Sequence, residues 1–253
     1  MVNELARGVA TAIAVGLAAQ DTRWTQYSFQ FAHEFCHALA NFSNNSRPSK
    51  SSPSRANYWL EESLCETASL FTLRAMSRSW QNNSPVPAWR DYAAWFNDYA
   101  AQRIAAPEHQ LPAGIEFAAW FREHEPTMRE KDEIWDRHTI VALQLLPLFE
   151  REPHGWVPVT FLNHGRGAAN DSLAQYLAEW RSQCPEDLRP FGTSANDRNF
   201  SQTGHQKSGS SSLYRTCVAA LPAGSLTFGN IQLSLRACSF GVDQELSLFS
   251  ALG

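Results

Sequence analysis

A mainly helical fold, with a metal site held between two consecutive helices, is what the sequence predicts, and three observations predict it. Apolar and aromatic residues recur every three or four positions through most of the first 190 residues, between Pro, Gly, Asn and Ser punctuation, which is the spacing of amphipathic helices. The first of these runs contains His33-Glu34-Phe35-Cys36-His37, and the second opens with the carboxylates Glu61, Glu62 and Glu66. All nine tryptophans lie between Trp24 and Trp180, which places the core in that part of the chain.

The elements follow in order. Residues 13–17, Ile13 to Leu17, read as a short β edge strand leading into the first helix. Helices are expected over 25–42, 57–80, 87–105, 113–126, 131–150 and 171–182. The linker 43–55 is rich in Ser, Asn and Pro and must be exposed. In the third helix Trp89, Tyr92, Trp95, Phe96 and Tyr99 form an aromatic stripe, most simply a packing face. Pro112 suits the first position of the fourth helix, and Asn170 with Asp171 offers a cap for the last. From Gly192 onward there is no Trp and few charges, so residues 1–191 read as the folded body and 192–253 as a Ser-rich, weakly structured tail. The alternative for the tail is a small β-rich appendage, because Leu226 to Leu235 alternates apolar and polar residues.

Composition removes several classes of function. With 253 residues, 43% of them hydrophobic, the chain is long enough to bury one substantial core. A net charge of −4, with no dense cluster of Lys and Arg, argues against nucleic acid as a partner. The longest apolar stretch, Gly8 to Ala19, falls short of the roughly 20 residues a spanning helix needs, so no integral membrane segment is expected. Five scattered cysteines without a Cys-x-x-Cys pair fit a reducing compartment, and a cytoplasmic protein is expected. Arg7 followed by the Ala-rich stretch leaves export open as the alternative, against which Glu4 precedes the single Arg.

His33 and His37 stand four residues apart, so on a helix both imidazoles project from one face and reach one metal ion. Glu34, one position on, is placed to act on a water molecule in an open coordination position. With 8 His in the chain, on the order of 0.02 such motifs would arise by chance. A catalytic zinc takes three protein ligands, and the motif supplies two. Glu62 and Glu66 share a face of the next helix beside the apolar Leu60, Leu64 and Ala68, and the first basic residue downstream of them is Arg74. Carboxylates without local partners on an apolar helix call for a cation.

These residues resemble the gluzincin metallopeptidases, in which His-Glu-x-x-His lies on one helix and a glutamate of the following helix completes a zinc site. Trp59-Leu60-Glu61-Glu62 is similar to the Trp-Leu-Asn-Glu of zinc aminopeptidases, and Glu62 to Glu66 is similar to the Asn-Glu-x-x-x-Asp of thermolysin-like enzymes. The likeness covers about 45 residues, Tyr27 to Phe71, and extends to uncharacterised bacterial zincin-like proteins with a Tyr/Phe-Gln-Phe-x-His-Glu-x-x-His core. It implies a zincin-like helical domain with Zn2+ bound by His33, His37 and Glu62. It also implies Glu34 as general base, and Glu66 as acceptor for the N–H of a ligand histidine. The likeness departs in three ways: Glu61 replaces the asparagine before the third ligand, the linker is long, and the aminopeptidase Gly-x-Met-Glu-Asn motif is missing from the 32 residues upstream. The short leader leaves little room for a substrate-binding β-subdomain, so either Ile13 to Leu17 supplies one edge strand or the chain is a truncated relative.

The resemblance therefore implies a zinc-dependent hydrolase, a peptidase acting on peptide or protein substrates. The competing expectation is a binding or scaffold protein with a zinc-stapled helix pair and no turnover. Ordinary satisfied histidines are the remaining alternative. A donor for a developing oxyanion is not evident; His124, His138 and Tyr58 are the nearest candidates, each also explicable by packing. His109, His154, His164 and His205 lie in Pro- or Gly-flanked loops and read as solvated, and Cys36 and Cys65 as small buried apolar residues.

Overall fold

The computed structural model describes residues 15–41, 56–131, 134–165, 170–188, 225–228 and 231–234. Seven α-helices occur among them: α1 (Trp24–Leu39), α2 (Tyr58–Asn83), α3 (Tyr92–Ala105), α4 (Phe117–Glu130), α5 (Trp135–Arg151), α6 (Trp156–Val159) and α7 (Leu173–Gln183). Two short strands, β1 (Ser225–Phe228) and β2 (Ile231–Ser234), pair antiparallel with Leu226 opposite Leu233. The protein is thus mainly helical, as its apolar spacing predicts. Each of the six expected helices has a counterpart, and α6 is an additional single turn.

Helix α2 is the axis of the molecule, packing on α1, α3 and α5. Over its first ten residues, Tyr58 to Thr67, every position is buried, so this half of the helix has no polar outer face. The Ser and Thr hydroxyls of this part of α2 are tolerated because carbonyls of the helix accept from them, and Ser69 Oγ has Phe29 O of α1 as a further acceptor at 2.9 Å. Ser63 Oγ donates to Trp59 O (2.7 Å), Thr67 Oγ1 to Ser63 O (2.7 Å) and Ser69 Oγ to Cys65 O (3.0 Å). One apolar cluster joins Trp59, Leu60 and Leu64 to Trp120, Leu145, Phe149 and Trp180, and a second joins Leu70 and Leu73 to Phe29, Phe96 and Ala100. The three acidic residues of α2 therefore enter a packed interior, against α1.

Several local expectations are corrected. Residues 15–17 form no strand: the neighbouring Ala18 and Ala19 N–H groups both donate to the Gln30 side-chain oxygen on α1, at 2.8 and 3.0 Å, instead of to a ladder. Pro112 does not open α4, which begins at Phe117; the Pro112 carbonyl instead accepts from Ile115 N in a turn. The cap of α7 is Ser172, not Asn170 or Asp171. Ser172 Oγ accepts from Gln175 N while Gln175 Oε1 accepts from Ser172 N, so both ends of a capping box are made. Ser172→Ala is accordingly expected to lower stability by about 1 kcal/mol in a denaturant titration. Of the expected third-helix stripe, Phe96 is core and Trp95, on the outer side of α3, is 56% exposed; Trp89 falls in a separate 3-10 turn, Pro87–Trp89, before α3, where it is 45% exposed and stacks on Trp80 of α2.

The segment that alternates in sequence, around Leu226 to Leu235, carries the β1–β2 pair. The rest of 192–253, the linker 43–55 and the N-terminal residues 1–14 lie outside the described residues. No helix among the described residues is long and apolar enough to cross a membrane.

Candidate metal centre

Helix α1 turns Phe29, Ala32 and Cys36 inward, at steps of three and four, with His37 next to Cys36 and His33 next to Ala32, so the side that packs on α2 also carries the two motif histidines. Its opposite face leaves Phe31 and Phe35 exposed and stacked on each other, ring centroids 5.7 Å apart. Facing the histidines, α2 presents Glu62. His33 Nε2 lies 3.2 Å from Glu62 Oε2, and His37 Nε2 lies 3.4 Å from Glu62 Oε1. One donor atom from each of His33, His37 and Glu62 falls within 4.8 Å of the others. Tetrahedral zinc, with Zn–N and Zn–O bonds of about 2.0–2.1 Å, places its donors about 3.3 Å apart, close to the two His–Glu distances, and imidazole and carboxylate are donor types that such a metal takes. The geometry alone does not select zinc over other divalent ions that take imidazole and carboxylate.

The outer nitrogens of both imidazoles also face carboxylates. His37 Nδ1 hydrogen-bonds Glu61 Oε1 at 2.8 Å, with Glu61 wholly buried. His33 Nδ1 stands 3.9 Å from Glu66 Oε2, an ion-pair distance that is too long for a direct hydrogen bond. Glu66 has two closer partners: Arg103 Nη2 of α3 at 2.7 Å and Thr139 Oγ1 of α5, which donates to it at 3.3 Å. Arg103 is the basic partner that the local sequence of α2 lacks. A histidine whose Nδ1–H donates to a carboxylate keeps the Nε2 lone pair for a metal, so Glu61 fixes the orientation of His37 for coordination.

Charge in the metal-free site follows from this packing. Burial disfavours a charged His37, yet hydrogen bonds to Glu61 and Glu62 outweigh it and push its pKa up to about 10. Burial likewise pushes Glu62 up, but the hydrogen bonds from His33 and His37 hold it well below the usual carboxylate range. Without a metal, a proton on His37 offsets the buried carboxylates, and a metal ion would take over that role.

Glu34 is half-buried, and among the described residues it has no hydrogen bond or ion pair, so its carboxylate is not committed to holding the fold. The three candidate oxyanion donors lie in different surroundings. Tyr58 stacks on His37, with ring centroids 6.2 Å apart; His124 stacks on Trp120 and bonds its carbonyl at 2.8 Å; His138 is buried on α5 with its ring edge-on to Trp135. His109 is corrected from solvated to buried: its Nδ1 donates to Arg103 O at 2.7 Å. Cys36 and Cys65 are buried free thiols, and burial beside Cys36 pushes Cys65 up.

Glu61 is the site residue that sequence reasoning leaves without a part. Its only signal is that it is a further carboxylate beside Glu62, on a helix whose positions Leu60, Leu64 and Ala68 are apolar. No family model matches the chain, and comparison with curated proteins and with solved structures finds no match. The class of the site therefore rests on its own geometry, a His-His-Glu cluster between two packed helices.

Proposed function

We propose that the protein is a zinc-dependent hydrolase of the gluzincin type, with a peptide bond as its substrate. The observation that carries this reading is the convergence of His33, His37 and Glu62 donors at zinc-like spacing, with an uncommitted carboxylate, Glu34, next to His33 on α1. When bound, zinc would supply a Lewis acid that polarises a carbonyl and acidifies a water molecule. Glu34 takes the proton of the attacking water and returns it to the leaving amine. Glu61 keeps His37 in the tautomer that leaves Nε2 free toward the centre, whereas Glu66, held by Arg103, faces His33 Nδ1 from 3.9 Å and acts on it through charge without a hydrogen bond.

The second reading is a zinc-stapled helix pair without turnover. Burial favours it: the side chains of His37 and Glu62 are 7% and 3% exposed, so only His33, at 16%, opens the cluster to solvent. A surface cavity lined by Trp24, Trp95, Asp98 and Tyr99 includes none of the three ligands. Elemental analysis of the purified chain combined with a broad peptide library separates the two. One zinc per chain with cleavage that a chelator abolishes supports the hydrolase. One zinc with no cleavage of any peptide supports the staple.

A further inference from the structure

The ligand His37 is held from outside the two metal-bearing helices. Glu61 Oε1 takes the His37 Nδ1–H, and its other oxygen, Oε2, accepts from Asn163 Nδ2 at 2.8 Å. The same amide nitrogen donates to Ala40 O, 2.9 Å away, one of the carbonyls left without a helical partner at the end of α1. Asn163 Oδ1 in turn accepts from the Tyr176 hydroxyl of α7 at 2.8 Å. Asn163, Glu61 and Tyr176 are all buried, so these are interior bonds whose loss would leave polar groups short of a partner.

The amide can face only one way. Turned over, it would set its oxygen against both the Ala40 carbonyl and the Glu61 carboxylate, and the Tyr176 hydroxyl would have to accept where it now donates. The backbone serves the same end. Asn163 has φ +61°, the left-handed region that asparagine tolerates better than most residues, and there its side chain reaches back to α1 and α2. The contact is reciprocated: Asn41, with φ +59°, sends its own Nδ2 to Thr160 O (2.7 Å) and Leu162 O (3.0 Å). The turn before α7 and the end of α1 are thus clasped by two asparagines, and one of them reaches on to the metal centre.

We infer that Asn163, with its amide oriented by Tyr176, is a positioning residue for the metal site, acting through Glu61 to set the orientation of His37. The inference rests on the metal reading proposed above. Its chemistry is specific. A neutral double donor at position 163 can satisfy Glu61 Oε2 and Ala40 O together, whereas a carboxylate there would repel Glu61 and remove the donor that the two oxygens share. The part of the effect that passes through Glu61 distinguishes positioning from general support of the fold, because the bond to Ala40 O holds the end of α1 as a whole.

The test is zinc affinity, by competition with a chromogenic chelator, for the full chain and for Asn163→Asp, Asn163→Gly, Tyr176→Phe, Glu61→Gln and the double variant Glu61→Gln/Asn163→Asp. Thermal unfolding of each metal-free protein is followed in parallel. Asn163→Asp is expected to weaken zinc about 10–100-fold, the range for losing an outer-sphere partner of a metal ligand, and Tyr176→Phe to weaken it less. In the double variant the amide introduced at position 61 can donate to the carboxylate introduced at position 163, so the combined loss is expected to be smaller than the product of the two single losses. Asn163→Gly allows the left-handed backbone, so a loss of affinity there is assigned to the side chain. Should Asn163→Asp fail to fold, the Gly and Phe variants still decide. Unchanged zinc affinity in the folded variants, or losses that multiply in the double variant, would overturn the inference while leaving the metal site standing. A wild-type chain that takes up no zinc would overturn the metal reading, and the inference with it.

Discussion

Glu34→Gln is expected to leave the zinc content and the fold unchanged and to lower peptide hydrolysis by at least about 100-fold, the lower end for loss of a general base. The reasoning is local. Glu34 stands one residue from the proposed ligand His33 yet lies outside the three-donor cluster, and among the described residues no partner engages its carboxylate. Gln has the same shape and can still hydrogen-bond to water, but it cannot accept a proton. Equal zinc in the two proteins by elemental analysis, with turnover lost only in the variant, is the expected pair of results. Hydrolysis that survives the substitution would place the chemistry elsewhere in the molecule.

The larger structural effect is expected from His37→Ala. It removes one of the three proposed ligands, so stoichiometric zinc should be lost on dialysis. It also removes the side chain that bridges Glu61 and Glu62, both buried, leaving two carboxylates facing a gap. Removing one partner of a buried ion pair typically costs about 3–5 kcal/mol, so the metal-free variant should unfold at markedly lower denaturant than the metal-free wild type. His33→Ala should lose zinc with a smaller stability cost, because His33 is more exposed and Glu66 retains Arg103. Full zinc occupancy in the His33→Ala/His37→Ala double variant would remove these residues from the site.

Helices α1 and α2 were legible because their apolar residues recur at helical steps, and that periodicity is a property of neighbouring residues. The pairing of His33 with His37 was legible for the same reason: a four-residue spacing on a helix fixes a shared face whatever surrounds it. Glu62 could be singled out as the proposed third ligand only by likeness to a motif, since Glu62 and Glu66 share one helix face and Glu61 lies only one position away. Packing separates them. On α2, Glu62 points between the two imidazoles, Glu61 turns to the outer nitrogen of His37, and Glu66 turns toward Arg103 and Thr139.

Local signals misled where a competing local partner was stronger. The apolar stretch before α1 resembles a strand, but two of its N–H groups find the Gln30 side chain instead of a neighbouring strand. Asn170 and Asp171 are good capping residues, yet Ser172 wins because Gln175 lies three positions on and closes the reciprocal pair.

By itself, then, the sequence determined a mainly helical body, two consecutive helices bearing the histidines and the acids, and a donor set suited to a divalent metal. These follow from periodicity and residue chemistry, which act over one or two turns. The tertiary structure alone decided which partner each acid meets. Arg103 reaches Glu66 across 37 positions of sequence and Asn163 reaches Glu61 across 102. Neither partner leaves a mark near the residue it serves. A buried carboxylate must be satisfied, but the chain can bring its partner from any element that packs there, so only the packed arrangement shows which one it is.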